Sequence, residues 1–258
     1  MVIIILVTVG LGIKSGLYPF HTWIPDAYGY TTPSASAVLS SLVIEGYIFP
    51  ADPDYLQDYL DFDSRSSLDH LWSTFCLLFG VVGMIVGSVA AIKEKNIRRM
   101  TAYSSVAQIG YIYMGIGLGT TAGVVAALFH IISHGAMKSL LFISISGLTE
   151  VSDGRSDYLS LRGAGLRNKV AGAAFTVGSL SMIGMPLCPT EFRVQIFNTA
   201  AATTAGSKMI TAWVVLAIST VLNTMYFMRT VLTLYRPVPE ETHKAYHVLR
   251  RSRTETAC

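Results

Sequence analysis

The sequence predicts an all-α protein, a polytopic bundle of about seven transmembrane spans, two of them broken. Three observations carry this. Of 258 residues, 52% are hydrophobic and only 14% charged, and the mean hydropathy is +0.50, too apolar and too poor in charge for a soluble domain of this length. The apolar residues come in blocks close to the ~20 that a helix needs to cross a bilayer core. A β-barrel would instead show ~10-residue stretches of alternating polarity. Prolines interrupt two of the blocks. Lipid is therefore the expected solvent, and an integral, multi-pass protein of a bacterial plasma membrane or an equivalent energy-converting membrane is the expected setting.

The first crossing covers residues 2–28 and breaks near Pro19. Its start, Val2 to Leu11, is apolar but lacks a basic n-region and a cleavage pattern, so it reads as helix and not as a signal peptide. Further crossings follow at 33–50, 70–92, 101–119, 122–148, 169–203 and 209–234, the sixth broken near Pro186 and Pro189. Trp23, Trp72 and Trp213 lie near predicted helix ends, where interfacial anchoring suits them. Cys76, Cys188 and Cys258 are scattered, which suggests neither a disulfide framework nor a metal knuckle.

Two links are long. Residues 51–69 carry Asp52, Asp54, Asp58, Asp61, Asp63 and Asp69, whereas 149–168 is of mixed charge; solvated loop is the plain reading of both. Lys93, Lys95, Arg98 and Arg99 flank the link between the third and fourth crossings, which places that link in the cytoplasm and the acidic loop outside. Alternation puts Arg155, Arg162, Arg167 and Lys169 inside too. The basic tail, 236–258, also falls inside, provided that 169–203 is one interrupted span.

Two broken helices point to transport, because their freed backbone groups are tolerable at membrane depth only against protein or a water-filled cavity. A packing kink is the bland alternative. Lys14 lies within the first broken segment, and a cation there costs roughly 2.5–3.5 kcal/mol on insertion scales, so it is expected to face a polar interior. In the fifth crossing His130, His134 and Lys138 recur every four residues and share one helix face. A pair of histidines at this spacing lacks the further ligands a metal needs, so no metal is expected. Polar glue between helices would explain the stripe, and a proton relay explains it better, since histidine titrates near neutrality and a buried lysine can trade a proton. Glu45, in the second crossing, is a candidate counter-charge for Lys14. Tyr103 to Tyr111 brings hydroxyls and Gln108 into the fourth crossing, suited to packing or to water. Without a phosphate loop, nucleotide fingerprint, haem motif or cluster-binding cysteine set, the reading has no cofactor, no catalytic site of the chain's own and no nucleic-acid partner.

Four blocks occur in order: Gly12 to Ala27 with Lys14, Pro19, His21, Trp23, Pro25 and Asp26; Pro33 to Ser40; Arg99 to Tyr111; and His130 to Phe142. Together they resemble the antiporter-like, proton-conducting membrane subunits of respiratory complex I (NADH:quinone oxidoreductase). That family also includes subunits of multi-subunit sodium/proton antiporters and membrane-bound hydrogenases, and the wording is most similar to the antiporter D-type branch. The resemblance implies an inverted-repeat fold of about fourteen helices, two five-helix repeats each with a broken helix, of which this chain would hold the seventh to the thirteenth. On that pattern residues 1–50 are the last two helices of a first repeat and 70–235 a second repeat. Lys14 then corresponds to the central lysine of the first half-channel, and His130, His134 and Lys138 to the relay of the second.

The chain departs from the pattern in two places. Glu45 stands where the D-type branch usually has lysine. In the second broken helix, Pro186 to Val194, valine stands at the position of the terminal lysine. Glu191 and Arg193 are nearby charges that could modulate an exit, but arginine keeps its proton and cannot replace that lysine. The expected function is thus an ion-translocating subunit, moving protons or exchanging them for sodium, driven by other membrane subunits of a respiratory or antiporter complex. The alternative is a non-conducting structural or truncated subunit packed against true pumps.

Overall fold

The computed structural model describes residues 2–44, 46, 67–184, 191–204 and 206–237, and every named element among them is a helix. The first crossing opens with α1, Val2–Ser15, and breaks where the proline predicts. Gly16 turns the chain with φ +71°, and a Cβ there would come within 2.8 Å of Ile24 Cγ1, so only glycine fits. A 3₁₀ turn, Phe20–Thr22, leads into α2, Trp23–Tyr30. Carbonyls freed by the break are not wasted: Leu17 N–H donates to Gly12 O at 2.9 Å and Trp23 Nε1 to Ile13 O at 3.1 Å. After α3, Pro33–Val38, the helix widens into a π turn, Leu39–Val43, where Ser40 and Ser41 both donate to Ala37 O. Glu45, residues 51–66 of the acidic loop and most of the basic tail lie outside the described residues.

The body of the bundle comprises α4, Ser67–Lys93, α5, Ile97–Gly117, and α6, Thr121–Glu150. The fourth crossing starts four residues earlier than the hydropathy predicts. Asn96 is the reason, since its side chain accepts from Arg98 N and Arg99 N and caps the helix there. α5 runs along the middle of the bundle, and nearly all of it is buried. This lets it be polar, because its neighbours and not lipid are its solvent. It approaches α4 through glycine: a Cβ on Gly110 would lie 2.6 Å from Gly80 O, and one on Gly80 would lie 2.7 Å from Met114 N. Small residues of this kind let helices associate closely without any hydrophobic drive from lipid.

The mixed link folds back on the α4–α5 turn. Ile97 N–H donates to Ser156 O at 2.9 Å and Tyr158 N–H to Lys95 O at 3.2 Å. Burial pushes the Tyr158 phenol above its usual pKa range. After a short turn, α7, Ala164–Arg167, the sixth crossing begins with α8, Lys169–Ile183, which stops at Gly184 in the left-handed conformation. It resumes as α9, Glu191–Ala202. With 15 and 12 residues, the pieces are about 22 and 18 Å long at 1.5 Å per residue, each short of a bilayer core. α10, Ser207–Tyr235, completes the described chain. Three stretches are each long and apolar enough to cross a membrane, namely Leu71–Lys93, Thr121–Glu150 and Ser207–Tyr235. The protein is an integral, multi-pass membrane protein.

Candidate functional site

The α6 stripe lies inside the bundle. His130 and Lys138 have no exposed surface and His134 has 2%. The two imidazoles are stacked with centroids 5.8 Å apart and planes inclined by 19°, as a spacing of four on one helix requires. Lys138 Nζ donates at 2.6 Å to Thr101 O and at 2.6 Å to Ser104 Oγ. The same Thr101 carbonyl accepts from Ser104 Oγ at 2.8 Å and Ser105 Oγ at 3.4 Å. Several donors thus converge on one carbonyl, and Lys138 Nζ is held by oxygen atoms of α5.

At the other end of the stripe the broken crossing closes over His130. Phe197, from α9, meets the His130 ring edge-on at 5.7 Å, and Tyr111, from α5, meets it at 5.5 Å. Tyr111 then links to a second polar stripe, one that sequence reasoning missed. Ser219, Asn223, Tyr226 and Thr230 all lie on α10 without exposed surface. Asn223 Nδ2 approaches Tyr111 Oη at 3.5 Å, Tyr226 Oη donates to Asn223 Oδ1 at 2.6 Å, and Ser88 Oγ of α4 approaches the same oxygen at 3.5 Å. Thr230 Oγ1 pairs with Tyr158 Oη at 2.8 Å. Intervals of four, three and four residues keep these groups on one face. That spacing was visible in the sequence and would have flagged the stripe.

The remaining sequence candidates fall elsewhere. Lys14, expected to face a polar interior, is exposed on α1, while its neighbour Ser15 is buried and shares a 3.0 Å hydrogen bond with Tyr113 Oη. An apolar block tells the depth of a residue but not which side of the helix it occupies. Glu45 is outside the described residues, so its pairing with Lys14 is too. Glu191 and Arg193 fall in the first turn of α9, at a distance in sequence from the α6 stripe that Phe197 bridges. Among the described residues no group of three or more His, Cys, Asp or Glu side chains is placed to hold a metal ion. Two buried hydroxyls, Ser179 Oγ and Ser219 Oγ, have no hydrogen-bond partner among the described residues.

Broken crossings and an ionisable interior define a membrane subunit of the antiporter-like class. The chain belongs to the NADH:quinone oxidoreductase/Mrp antiporter transmembrane family, whose profile matches residues 1–233. It is 31% identical over 235 residues to NADH-quinone oxidoreductase subunit N of Desulforudis audaxviator, covering 90% of this chain and 45% of that protein. To the F(420)H(2) dehydrogenase subunit N of Methanosarcina mazei it is 30% identical over 250 residues, 93% of this chain and 48% of the relative. The chain thus spans about half the length of the curated relatives it matches. Its fold is similar to that of a chain in the Mrp complex from Dietzia sp., with TM-score 0.76, 24% identity and coverage of 89% and 41% of the two chains. A chain of respiratory complex I from Thermus thermophilus follows it with TM-score 0.63 and 24% identity, over 92% and 52%.

Proposed function

We propose that this chain moves protons across an energy-converting membrane as one subunit of a larger complex, using His130, His134 and Lys138 as a relay. The observation that carries the reading is Lys138: a lysine without exposed surface, held by Thr101 O and Ser104 Oγ and one to two turns from two buried histidines. Burying such a group is costly, and membrane proteins keep ionisable residues at depth where protons or ions are handled. Ser179 and Ser219, whose hydroxyls have no hydrogen-bond partner among the described residues, support hydration, since buried polar groups take water where protein offers no partner. Lys14, with Glu45 as counter-charge, is assigned to the first half of the path, and Glu191 and Arg193 modulate its far end. Other membrane subunits supply the energy, and exchange against sodium is the finer variant of the same reading.

A second reading is favoured by two observations: Val194 carries no proton, and Lys14 is exposed. In it the chain is a scaffold that packs against true pumps. Ion flux in vesicles that contain the assembled complex separates the two. Lys138→Ala and Lys14→Ala should each lower flux, and Lys→Arg should not restore it, because arginine does not release its proton. Normal assembly with normal flux in both alanine variants would leave only the scaffold.

A further inference from the structure

Lys208 stands in the first turn of α10. A lysine near a helix end usually extends its ammonium to water. This one turns inward: Nζ donates to Ser73 Oγ of α4 at 3.0 Å and approaches Gly117 O, the last residue of α5, at 3.5 Å. Ser73 is only 3% exposed. The N-terminus of α10 is the wrong end of its own helix for a cation, whereas the C-terminal carbonyls of α5 favour one. The placement of Lys208 therefore answers to α4 and α5 and not to the helix that carries it.

Lys138 and Lys208 mark opposite ends of α5. One binds at Thr101 and the other at Gly117, which at 1.5 Å per residue separates them by about 24 Å. Between these ends lie the stacked histidines, Tyr111 and Asn223. Lys208, Ser219 and Asn223 occupy one face of α10, since successive residues turn by about 100°. Ser219 is the member of that face with no exposed surface and no hydrogen-bond partner among the described residues, a position that calls for water. From Tyr111 to Gly117 along α5 is about 9 Å, a distance a short file of waters spans.

We propose that Lys208 is a second proton-exchanging group of the path, at the end opposite Lys138. In the step, the Lys208 ammonium gives one proton to water at the Gly117 end and becomes a neutral amine. That amine then takes a proton from water on the Ser219 side, so charge and protons balance. Val194 has no proton to exchange, whereas Lys208, on the following helix, carries an ionisable group.

This inference rests on the proton-translocation reading, and the test keeps the two apart. Flux is measured in vesicles containing the assembled complex for Lys208→Gln, Lys208→Arg and Lys208→His, beside Lys138→Ala. Gln and Arg should each lower flux about tenfold or more with normal assembly, as the loss of a proton-transfer group does. His should retain flux, with its pH profile displaced to acid because imidazole titrates lower than an amine. Wild-type flux in Lys208→Arg, alongside low flux in Lys138→Ala, would overturn the role of Lys208 and leave the pathway standing. Should Gln prevent assembly, Arg carries the test, since it keeps both the charge and the donors. Wild-type flux in Lys138→Ala would instead overturn the pathway itself. A His variant with low flux or an unmoved profile would also overturn proton exchange at this position.

Discussion

Asn223 is the joint between the two polar stripes, and replacing it with leucine tests whether they form one network. The amide is fully buried. Its contacts to Ser88 and Tyr111, both 3.5 Å, are at the edge of hydrogen-bond range and contribute little. The bond from Tyr226 Oη, at 2.6 Å, dominates. Asn223→Leu nearly conserves volume but removes the acceptor of the 2.6 Å bond from Tyr226 Oη, which costs roughly 1–3 kcal/mol. Tyr226→Phe removes the donor instead and costs roughly 1 kcal/mol. With both changes neither half of the Tyr226–Asn223 bond is left facing a missing partner, so the double variant should be more stable than the sum of the singles by about 1–2 kcal/mol. Thermal unfolding of the detergent-solubilised protein, read as a double-mutant cycle, gives this coupling. Additivity within about 0.5 kcal/mol would refute the network, as would a wild-type unfolding temperature for Asn223→Leu.

Gly110→Ala should destabilise the protein by roughly 1–3 kcal/mol, because the new Cβ meets Gly80 O and Met84 N at 2.6 and 2.7 Å and α4 and α5 must separate; thermal unfolding reads the loss, and an unchanged midpoint would show that the helices were not in tight contact. Loop charge predicts that Lys95→Cys reacts with an impermeant thiol reagent from the cytoplasmic side and Asp58→Cys from the other, in a background without Cys188 and Cys258. Labelling with the two sides exchanged would reverse the topology, and labelling of both from one side would refute the crossing between them.

The fold class and the α6 stripe were legible because both rest on local signals. Hydropathy blocks announce helices in lipid, prolines announce breaks, and three ionisable residues every fourth position stand out in an apolar run. What holds Lys138 was not legible: Thr101 and Ser104 come from another helix, 37 and 34 residues away, and only the register between α5 and α6 selects them. The α10 stripe went unread for a chemical reason. Ser219, Asn223, Tyr226 and Thr230 carry no charge near neutrality, so they disturb hydropathy little, yet inside a bundle each needs a partner as surely as a charge does. Lys14 is exposed on α1. Its charge drew attention, but helical depth is one coordinate and facing is another, and the second depends on which helices pack against α1.

The Lys138 site also shows how glue and relay can be told apart by chemistry. Interhelical hydrogen bonds in membranes contribute on average only about 0.6 kcal/mol each, and a neutral donor supplies them as well as an ammonium does. Glue therefore does not need lysine at a site without exposed surface, where desolvation opposes the charge. Lys138→Gln offers an amide that can donate towards Thr101 O or Ser104 Oγ but cannot exchange a proton. If the residue only binds α5 to α6, the glutamine variant should assemble and conduct like the wild type. If it carries protons, assembly should survive while flux falls by about a hundredfold or more, the usual scale for losing a positioned acid–base group. Flux and assembly falling together in the glutamine variant, with both restored by Lys138→Arg, would refute the relay, because arginine can restore charge and donors but not proton release.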